Sequence, residues 1–256
     1  MIGAIAGDMI GSPYEMHPIK HINFDSVVSA FTDDTVLTVA VAYFILNEAD
    51  IASSLKKFAE KYFNSSYGAG FRKWIRSWDN KPYNSFGNGS AMRVSPVGFA
   101  YDSVEEVLHQ AKRTAEVTHN HPEGIKGARA TALAIYLARA GESKDTIRKE
   151  ITDRFSYDLN RTVDEIRPNY SFDVTCQGSV PESIIAFLDS ESWEDAVKKS
   201  ISLGGDADTM ACITGGIAQA YYREIPENIV EDVTNKLPPD LREVLNKFNM
   251  KYRCQF

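Results

Sequence analysis

Residues 204–222 read GGDADTMACITGGIAQAYY, and most of this stretch is apolar on every side of a helix. Such a helix belongs in the centre of a domain, because a surface helix needs a polar face toward water. Asp34–Asn47 and Gly127–Ala140 have the same all-round apolar character as Thr209–Tyr222. Three helices of this kind predict an all-α fold whose core is built around them.

Glycines in the opening segment predict a close contact between two helices. Gly3, Gly7 and Gly11 recur every fourth residue and therefore lie on one helical face. Because glycine has no Cβ atom, that face lets the backbone of another helix come close. Gly215 and Gly216 offer a second such surface within the first quoted stretch.

Strand signals are nearly absent from the chain. Phe172–Gln177 is the best candidate for a β-strand, because it is the one short run with alternating character. No low-complexity linker divides the sequence, and 256 residues fit one large domain. We therefore expect residues 1–256 to form a single domain.

Composition and charge exclude several classes of protein. Hydrophobic residues make up 43% of the chain and charged residues 25%, which is ordinary for a globular domain and excludes intrinsic disorder. The 28 basic and 35 acidic residues leave a net charge of −7, and no basic block is present. General binding to nucleic acid or to an anionic membrane is therefore not expected.

The cysteines and the apolar runs predict the cellular setting. Cys176, Cys212 and Cys254 are odd in number and widely spaced, which is typical of free thiols in a reducing compartment. The first residues lack the positive start and cleavage site of a signal peptide, and the longest apolar run, Val36–Leu46, is too short to span a bilayer. We expect a cytoplasmic protein without a membrane segment.

Two similar acidic segments stand at the starts of apolar helices. Phe31–Thr35 reads FTDDT and Gly204–Thr209 reads GGDADT, so each places two carboxylates and a threonine at a helix N-terminus. Capping explains one Asp at each end, because its side chain accepts backbone N–H bonds and favours the positive end of the helix dipole. Repulsion among four neighbouring acids would be relieved by divalent cations, and Asp and Thr oxygens suit magnesium. The sequence favours a metal site and leaves capping as the alternative.

A glycine-rich segment is a second candidate for ligand binding. Ser85–Arg93 reads SFGNGSAMR, and its glycines let backbone N–H groups approach phosphate oxygens. It is not a P-loop, because no Gly-Lys-Ser or Gly-Lys-Thr follows, and it is not a Rossmann fingerprint, because no strand precedes it. A tight turn into a helix is the alternative that these residues leave open.

A pair of histidines and one glutamate complete the set of candidates. Thr118–Pro122 reads THNHP and has no third Cys or His nearby, which favours a turn with one ligand-facing histidine over a zinc site. Glu15 follows the glycine-lined helix and lies between Pro13 and Pro18. We expect its backbone to be a loop outside the helix, from which its carboxylate can move over a site. Simple solvent exposure is the alternative for Glu15.

Taken together, these pieces resemble the ADP-ribosylglycohydrolase family, which includes dinitrogenase reductase-activating glycohydrolases and the arginine- and serine-specific ADP-ribosylhydrolases. The matching pieces occur in the family's order and extend over most of the chain: Gly3–Glu15, Thr32–Thr35, Gly87–Arg93, Thr118–His119 and Ser202–Thr209. The resemblance implies a compact, orthogonal, all-α helical bundle around a binuclear magnesium site.

The resemblance also implies roles for individual residues. The expected ligands of two Mg²⁺ ions are Glu15, Thr32, Asp33, Asp34, Asp206, Asp208 and Thr209. The expected contacts to ADP-ribose are Tyr83, Asn84, Ser85, Phe86, Gly87, Asn88, Gly89, His119 and Val174. The expected catalytic residues are Glu15, Asp33, Asp34 and Asp206.

The implied reaction is hydrolysis of the bond between C1″ of ADP-ribose and a side chain of an ADP-ribosylated protein, with ADP-ribose as the product. Carboxylates would stabilise the positive charge that develops at C1″ while water attacks. Glu15 or one of the metal-binding aspartates would handle the proton, and we favour Glu15.

The side chain that carries ADP-ribose stays open at this point. Glu15 together with Gly87–Gly89 is more similar to the serine-type members, and arginine-type activity is the alternative. A non-catalytic ADP-ribose-binding module and a crystallin-like structural relative are further alternatives. Both would be expected to lack catalytic groups, whereas the full acidic set is present here.

Overall fold

The chain forms fifteen α-helices in the computed structural model, which covers residues 1–256. The helices, numbered in chain order, are α1 (Ile2–Glu15), α2 (Asp33–Asn47), α3 (Ile51–Lys61), α4 (Ala69–Ile75), α5 (Gly89–Met92), α6 (Ser95–Ala100), α7 (Val104–Glu116), α8 (Pro122–Ala140), α9 (Lys144–Phe155), α10 (Val163–Ile166), α11 (Cys176–Leu188), α12 (Trp193–Ile201), α13 (Ala207–Tyr222), α14 (Glu227–Lys236) and α15 (Pro239–Tyr252). None of them combines the length and the apolar character that crossing a membrane requires. The all-α fold class expected from the sequence is confirmed.

Helix α13 lies in the centre of the protein, as its apolar sequence predicts. All of its residues from Ala207 to Ala220 are buried. Helices α1, α2, α5, α6, α8, α11 and α12 surround it. This arrangement places the N-terminus of α13, with Asp206 and Asp208, inside the protein.

Helix α1 lies against α13 with almost no space between the two backbones. A Cβ atom added to Gly7 would lie 2.0 Å from the carbonyl oxygen of Ala211. Gly11 makes the same kind of contact, and a Cβ atom added to Gly215 would lie 2.3 Å from the carbonyl oxygen of Gly3. The glycine surfaces predicted from the sequence therefore form the contact between these two helices.

The strand predicted over Phe172–Gln177 is not formed, and that prediction was wrong. One isolated bridge pairs Thr175 with Gly87. Cys176 is already the first residue of α11, and the Thr175 hydroxyl accepts a hydrogen bond from Gly178 N at 3.1 Å as the helix N-cap. The β-branched and aromatic residues lead into a helix because a capping threonine ends their extended run.

Glu15 is the last residue of α1 and does not lie in a loop, so this prediction was also wrong. Pro13 lies inside the helix, where a proline normally leaves the carbonyl four residues earlier without its N–H partner. Here that carbonyl, of Met9, accepts a hydrogen bond of 2.8 Å from Ser29 N instead. The connection that follows α1 thus supplies the missing donor, and the helix continues through Glu15.

One hydrophobic core runs through the protein. It contains 73 buried residues, which come from segments throughout the chain between Met1 and Phe248. The three cysteines are free thiols, as their spacing predicts.

Candidate active site

The N-termini of α2 and α13 meet inside the protein and bring the two acidic segments together. Carboxylate oxygens of Asp8, Asp34 and Asp208 lie within 4.8 Å of one another, and so do those of Glu15, Asp206 and Asp208. Asp208 belongs to both groups and joins them, and Asp33 lies close enough for its pKa to respond to its acidic neighbours. We call the following six residues the acidic cluster: Asp8, Glu15, Asp33, Asp34, Asp206 and Asp208.

Helix capping uses only a small part of the acidic cluster. Thr32 is the N-cap of α2, and its hydroxyl accepts a hydrogen bond of 3.2 Å from Asp34 N. Asp206 is the N-cap of α13, but its side chain makes no capping hydrogen bond. Asp208 is the exception, because its Oδ1 accepts the N–H of the next residue at 2.8 Å. Capping therefore does not account for the acids at these helix ends, which favours ligand binding.

Asp34 is well suited to bind a cation. Its Oδ2 accepts a hydrogen bond of 3.3 Å from the hydroxyl of Thr209, whereas its buried Oδ1 has no hydrogen-bond partner within the protein. A buried carboxylate oxygen without a partner is costly, and a cation bound there would offset that cost. Carboxylate and hydroxyl oxygens are the ligands that Mg²⁺ and similar hard cations prefer. The residues present thus fit a divalent metal ion.

Burial and mutual repulsion raise the pKa values of the acidic cluster. Burial is the main cause for Asp34 and Asp208, whose pKa values lie well above the ordinary value, and neighbouring carboxylates raise them further. Burial, followed by the charge of Asp8, raises the pKa of Asp33 to about 7. The pKa of the half-buried Glu15 is raised by burial and by nearby negative charge. Without a cation, the cluster therefore holds protons that a bound metal ion would displace.

Asp8 completes the acidic cluster and is absent from the residues expected from the sequence. It is fully buried, and its carboxylate accepts hydrogen bonds from the backbone N–H and the hydroxyl of both Thr32 and Thr35. The Thr32 hydroxyl donates to Asp8 Oδ1 at 2.8 Å. Because the proton of this hydroxyl points to Asp8, the oxygen keeps its lone pairs for Asp34 N and for a cation. Asp8 thus positions the start of α2.

A signal for Asp8 is present in the sequence. It is the one charged residue in the segment IGAIAGDMIG, between Gly7 and Gly11, whose spacing predicts close contact with another helix. A carboxylate on a buried helix requires hydrogen-bond or ionic partners. The glycine spacing and the lone acid together indicate a buried polar site on α1.

A cavity of about 410 Å³ opens over the acidic cluster. The residues expected from the sequence that line it are Glu15, Asp33, Asp34, Tyr83, Ser85, Gly87, Asn88, Gly89, His119, Val174, Asp206, Asp208 and Thr209. The other lining residues are Leu37, Ser66, Gly68, Gly70, Phe71, Met92 and Arg93. A cavity of this size, with polar groups concentrated in part of its wall, suits a small-molecule ligand.

Two of the expected ligand contacts lie outside this cavity. Tyr83, Ser85 and Gly87 line it, whereas Asn84 and Phe86, which alternate with them, are exposed. The segment is not regularly extended, because Asn84 has a left-handed backbone conformation with a φ of 55°, and the side chains of Asn84 and Phe86 face solvent. The structure therefore brings seven of the nine expected contacts into the cavity and leaves these two outside it.

Asn88 connects the glycine-rich segment to the acidic cluster. Its Nδ2 donates hydrogen bonds to Asp206 Oδ2 at 2.8 Å and to Ser179 Oγ at 3.2 Å. Its backbone N–H donates a hydrogen bond of 2.8 Å to the carbonyl of Val174, which holds Asn88 against the wall of the cavity that Val174 lines. The backbone that would approach a ligand and the carboxylates that would bind a metal ion are thus held in one geometry.

His119 is neutral and directs a donor toward the glycine-rich segment. Burial lowers its pKa well below the usual value. Arg93, which can only donate, gives a hydrogen bond of 2.8 Å to Thr118 Oγ1, and the Thr118 hydroxyl lies 2.7 Å from His119 Nδ1. The hydroxyl proton therefore goes to Nδ1, and we assign the imidazole N–H to Nε2, on the side of Gly89. His121 has a different task, because its side chain caps α8.

The metal-free protein is expected to lose stability as the pH rises from 6.5 to 8. Carboxyl groups with a raised pKa hold protons in the folded state that the unfolded chain has already released, so the free energy of unfolding decreases with rising pH until the folded state has released them too. Asp33 titrates at about 7, and the pKa values of Asp34 and Asp208 also lie well above the ordinary value. Each group contributes up to about 1.4 kcal/mol per pH unit, so Tm should fall by roughly 5 °C or more.

Thermal melts of dialysed protein in EDTA across this pH range measure the effect. The range starts at pH 6.5 because His119 changes the stability in the opposite direction at lower pH, since it is neutral in the folded state and takes up a proton on unfolding. Excess Mg²⁺ is expected to remove the pH dependence, because it would bind the ionised cluster and stabilise the folded state. A constant Tm in EDTA would contradict the close packing of the carboxylates.

Comparison with known proteins relates this chain to one family. A family model described as ADP-ribosylglycohydrolase matches residues 1–255. ADP-ribosylhydrolase ARH3 of Homo sapiens is 28% identical, with 89% of this chain and 86% of that protein covered. ADP-ribosylarginine hydrolase Tri1 of Pseudomonas putida (strain GB-1) is 24% identical, with 87% of this chain and 69% of that protein covered. A solved structure titled "ADP-ribosylglycohydrolase-related protein complex" has a TM-score of 0.75 at 20% identity, covers 100% of this chain and 96% of its own, and supports the fold alone.

Proposed function

Because this chain belongs to the ADP-ribosylglycohydrolase family, we propose that it is a magnesium-dependent hydrolase of the C1″ glycosidic bond between ADP-ribose and a protein side chain. The enzyme class is that of its relatives, which are named ADP-ribosylhydrolases. The substrate is an ADP-ribosylated protein, and the product is ADP-ribose. An O-linkage to serine is favoured.

The proposal rests on one observation, which is that two kinds of binding surface meet in one cavity. One part is a buried acidic cluster, and the other is a glycine-rich segment that Asn88 ties to Asp206 at 2.8 Å. ADP-ribose needs both kinds of surface, because its negatively charged phosphates lie beside the distal ribose whose C1″ reacts. Carboxylates belong beside the reacting carbon, and backbone donors belong beside the phosphates.

Two Mg²⁺ ions are the proposed cofactors. The proposed ligands are Glu15, Thr32, Asp33, Asp34, Asp206, Asp208 and Thr209. When bound, the ions supply positive charge that neutralises the carboxylates and orients the ribose hydroxyls. The partnerless Oδ1 of Asp34 and the orientation of the Thr32 hydroxyl by Asp8 support this assignment.

The phosphates would lie against the glycine-rich segment. The backbone N–H group of Gly89, the first residue of α5, donates no hydrogen bond within the protein and is free for an anion in the cavity. The Nε2–H of His119 adds a neutral donor on the same wall. Arg93 adds positive charge, since burial lowers its pKa only to about 10 and it stays protonated at neutral pH. These groups favour a phosphate-bearing ligand.

Glu15 is the proposed group for proton transfer. It is half-buried at the end of α1, and its raised pKa brings proton uptake and release closer to neutral pH. As water attacks C1″ and the bond from C1″ to the side-chain oxygen breaks, Glu15 accepts the proton of the water and the departing oxygen takes it up, while Asp33 and Asp206 stabilise the positive charge on the sugar.

Glu15→Gln is expected to lower kcat by on the order of 10²-fold or more, because the amide cannot accept a proton. The affinity for ADP-ribose should change far less, since most of the acidic cluster remains. Steady-state kinetics and calorimetry with ADP-ribose measure the two quantities. Glu60→Gln, at an exposed position of α3, is the matched control and should retain wild-type values. Wild-type turnover in Glu15→Gln would assign proton transfer to the aspartates.

The linkage is tested with serine-linked and arginine-linked ADP-ribosyl peptides of otherwise identical sequence. Glu15 together with Gly87–Gly89 favours serine, whereas the name of the Pseudomonas relative favours arginine as the second candidate. Free ADP-ribose is measured in Mg²⁺ and in EDTA. We expect faster release from the serine-linked peptide and loss of release in EDTA. Binding of ADP-ribose without release from either peptide would support a non-catalytic module instead.

The setting of this activity is also proposed. A single core of 73 residues supports one domain over residues 1–256. Three free cysteines support a reducing compartment, and we place the enzyme in the cytoplasm.

A further inference from the structure

A larger groove, of about 1010 Å³, lies beside the active-site cavity. We call it the acceptor groove. Its walls are the end of α1, the connection formed by residues 27–31 and the segment 61–66, which begins with the last residue of α3, with Lys236 of α14 at one side. The site described above uses none of these walls except at the junction between the two spaces.

The acceptor groove joins the cavity at the acidic cluster. Ser66 lines both spaces. Tyr14 lines the groove, whereas the next residue, Glu15, lines the cavity. Likewise, Phe31 lines the groove and Asp33 lines the cavity. No residue of the segment 83–89 lines the groove. The groove therefore begins where the glycosidic bond would be cleaved and lies away from the phosphate-binding wall.

We propose that the acceptor groove binds the polypeptide that carries the ADP-ribosylated side chain. This inference rests on the proposed function. ADP-ribose extends from the acidic cluster toward the glycine-rich segment, so the other half of the substrate has to leave the cavity at the junction. A groove of about 1010 Å³ is far larger than one side chain needs, and it therefore takes the residues that flank the modified one.

The lining of the acceptor groove suits an extended peptide. Eight of its fifteen residues are hydrophobic, and Val27 is 65% exposed there. The side chains of Asn64 and Ser66 and the backbone N–H groups of Ala30 and Phe31 make no hydrogen bond within the protein. Free backbone donors beside apolar pockets are the features that recognise an extended chain.

The charge of the residues that line the acceptor groove indicates that the bound peptide is acidic. Two lysines are the only charged residues that line the groove, although the chain as a whole has a net charge of −7. Lys61 is paired with Asp240 at 2.7 Å, whereas Lys236 forms no salt bridge and donates to the carbonyl of Val28. The charge of Lys236 is thus available to an acidic side chain near the modified residue.

Three substrates test the inference. They are an ADP-ribosylated peptide with acidic flanking residues, the same peptide with lysine at those positions, and the isolated ADP-ribosylated amino acid. The wild-type enzyme should have a kcat/KM about threefold higher for the acidic peptide than for the lysine peptide, as one exposed ion pair provides. Lys236→Gln, which keeps a donor for the Val28 carbonyl, should remove this preference.

Val27→Glu should raise KM for the acidic peptide by about fivefold or more, because the new carboxylate repels the peptide and an apolar contact is lost. KM for the isolated ADP-ribosylated amino acid should stay within about twofold of the wild-type value. Met250→Glu makes the same kind of change at an 81% exposed position outside the groove and should leave the kinetics with all three substrates unchanged.

The inference would be overturned if Val27→Glu lost activity equally on all three substrates, or if peptide kinetics were unchanged in both groove variants. A preference for an ADP-ribosylated oligonucleotide over both peptides would overturn it as well. If the wild-type enzyme cleaved none of the three substrates, that result would instead refute the proposed function, and this inference with it.

Discussion

Asp34→Ala is expected to abolish hydrolysis while leaving the metal-free protein folded. The variant removes a buried carboxylate whose Oδ1 has no partner and whose pKa is raised by burial and by neighbouring acids. Metal-derived charge stabilisation is worth several kcal/mol, so kcat/KM should fall by ~10³-fold or more. Because the same substitution relieves repulsion in the cluster, Tm in EDTA at pH 8 should be unchanged or higher. Calorimetric titration with Mg²⁺ should show weakened binding.

Asp50→Ala is the matched control for Asp34→Ala. Asp50 is the N-cap of α3, and its side chain accepts a hydrogen bond of 2.8 Å from Ser53 N. Its removal should cost about 1 kcal/mol of stability and leave activity and Mg²⁺ binding intact. If Asp34→Ala behaved in the same way as this control, Asp34 would be a structural residue of the α2 N-terminus and not a metal ligand.

Gly7→Ala is expected to lower the free energy of unfolding by about 3 kcal/mol or more, which corresponds to a fall in Tm of roughly 6–12 °C. The added Cβ would lie 2.0 Å from the carbonyl oxygen and 2.5 Å from the carbonyl carbon of Ala211. Both atoms belong to the backbone of α13, so α1 itself has to move. That movement carries Asp8 away from Thr32, and affinity for Mg²⁺ should fall together with stability.

Gly216→Ala provides the comparison for Gly7→Ala. Gly216 is also buried at the contact with α1, but a Cβ there would lie 3.4 Å from the Cβ atoms of Ala4 and Ser95, which is ordinary contact. Alanine is favoured over glycine in a helix by up to ~1 kcal/mol, so this variant should match or exceed wild-type stability. Calorimetric unfolding of the two variants measures the difference. Similar losses in both would mean that volume alone, and not backbone contact, limits the α1–α13 interface.

The central helices and their acidic ends were predictable because their signals are local in the sequence. An all-round apolar helix such as Thr209–Tyr222 has to be buried wherever it lies, and paired acids at its start require partners. The glycine spacing likewise predicted the contact surface of α1 without naming α13. These inferences needed no knowledge of which segments meet.

The features that escaped prediction depend on partners distant in the sequence. Glu15 is helical because Ser29 supplies the donor that Pro13 lacks, and nothing near the proline indicates this. Asp8 reads as an isolated acid until α2 packs against α1 and four donors converge on it. Asn84 and Phe86 share a motif with cavity-lining residues, but the folded backbone, which is left-handed at Asn84, leaves both side chains in solvent, and the motif does not indicate this.

The contact between α1 and α13 also determines when the site can form during synthesis. Gly7 and Ala211 are separated by roughly 200 residues, so their contact closes one of the longest loops in the chain. Such a closure costs conformational entropy that only the completed set of tertiary contacts offsets. A nascent chain that ends before residue 204 carries Asp33 and Asp34 but has neither Asp206 nor Asp208. Metal affinity should therefore arise late, and a growing polypeptide would be inactive until its last central helix has left the ribosome and docked.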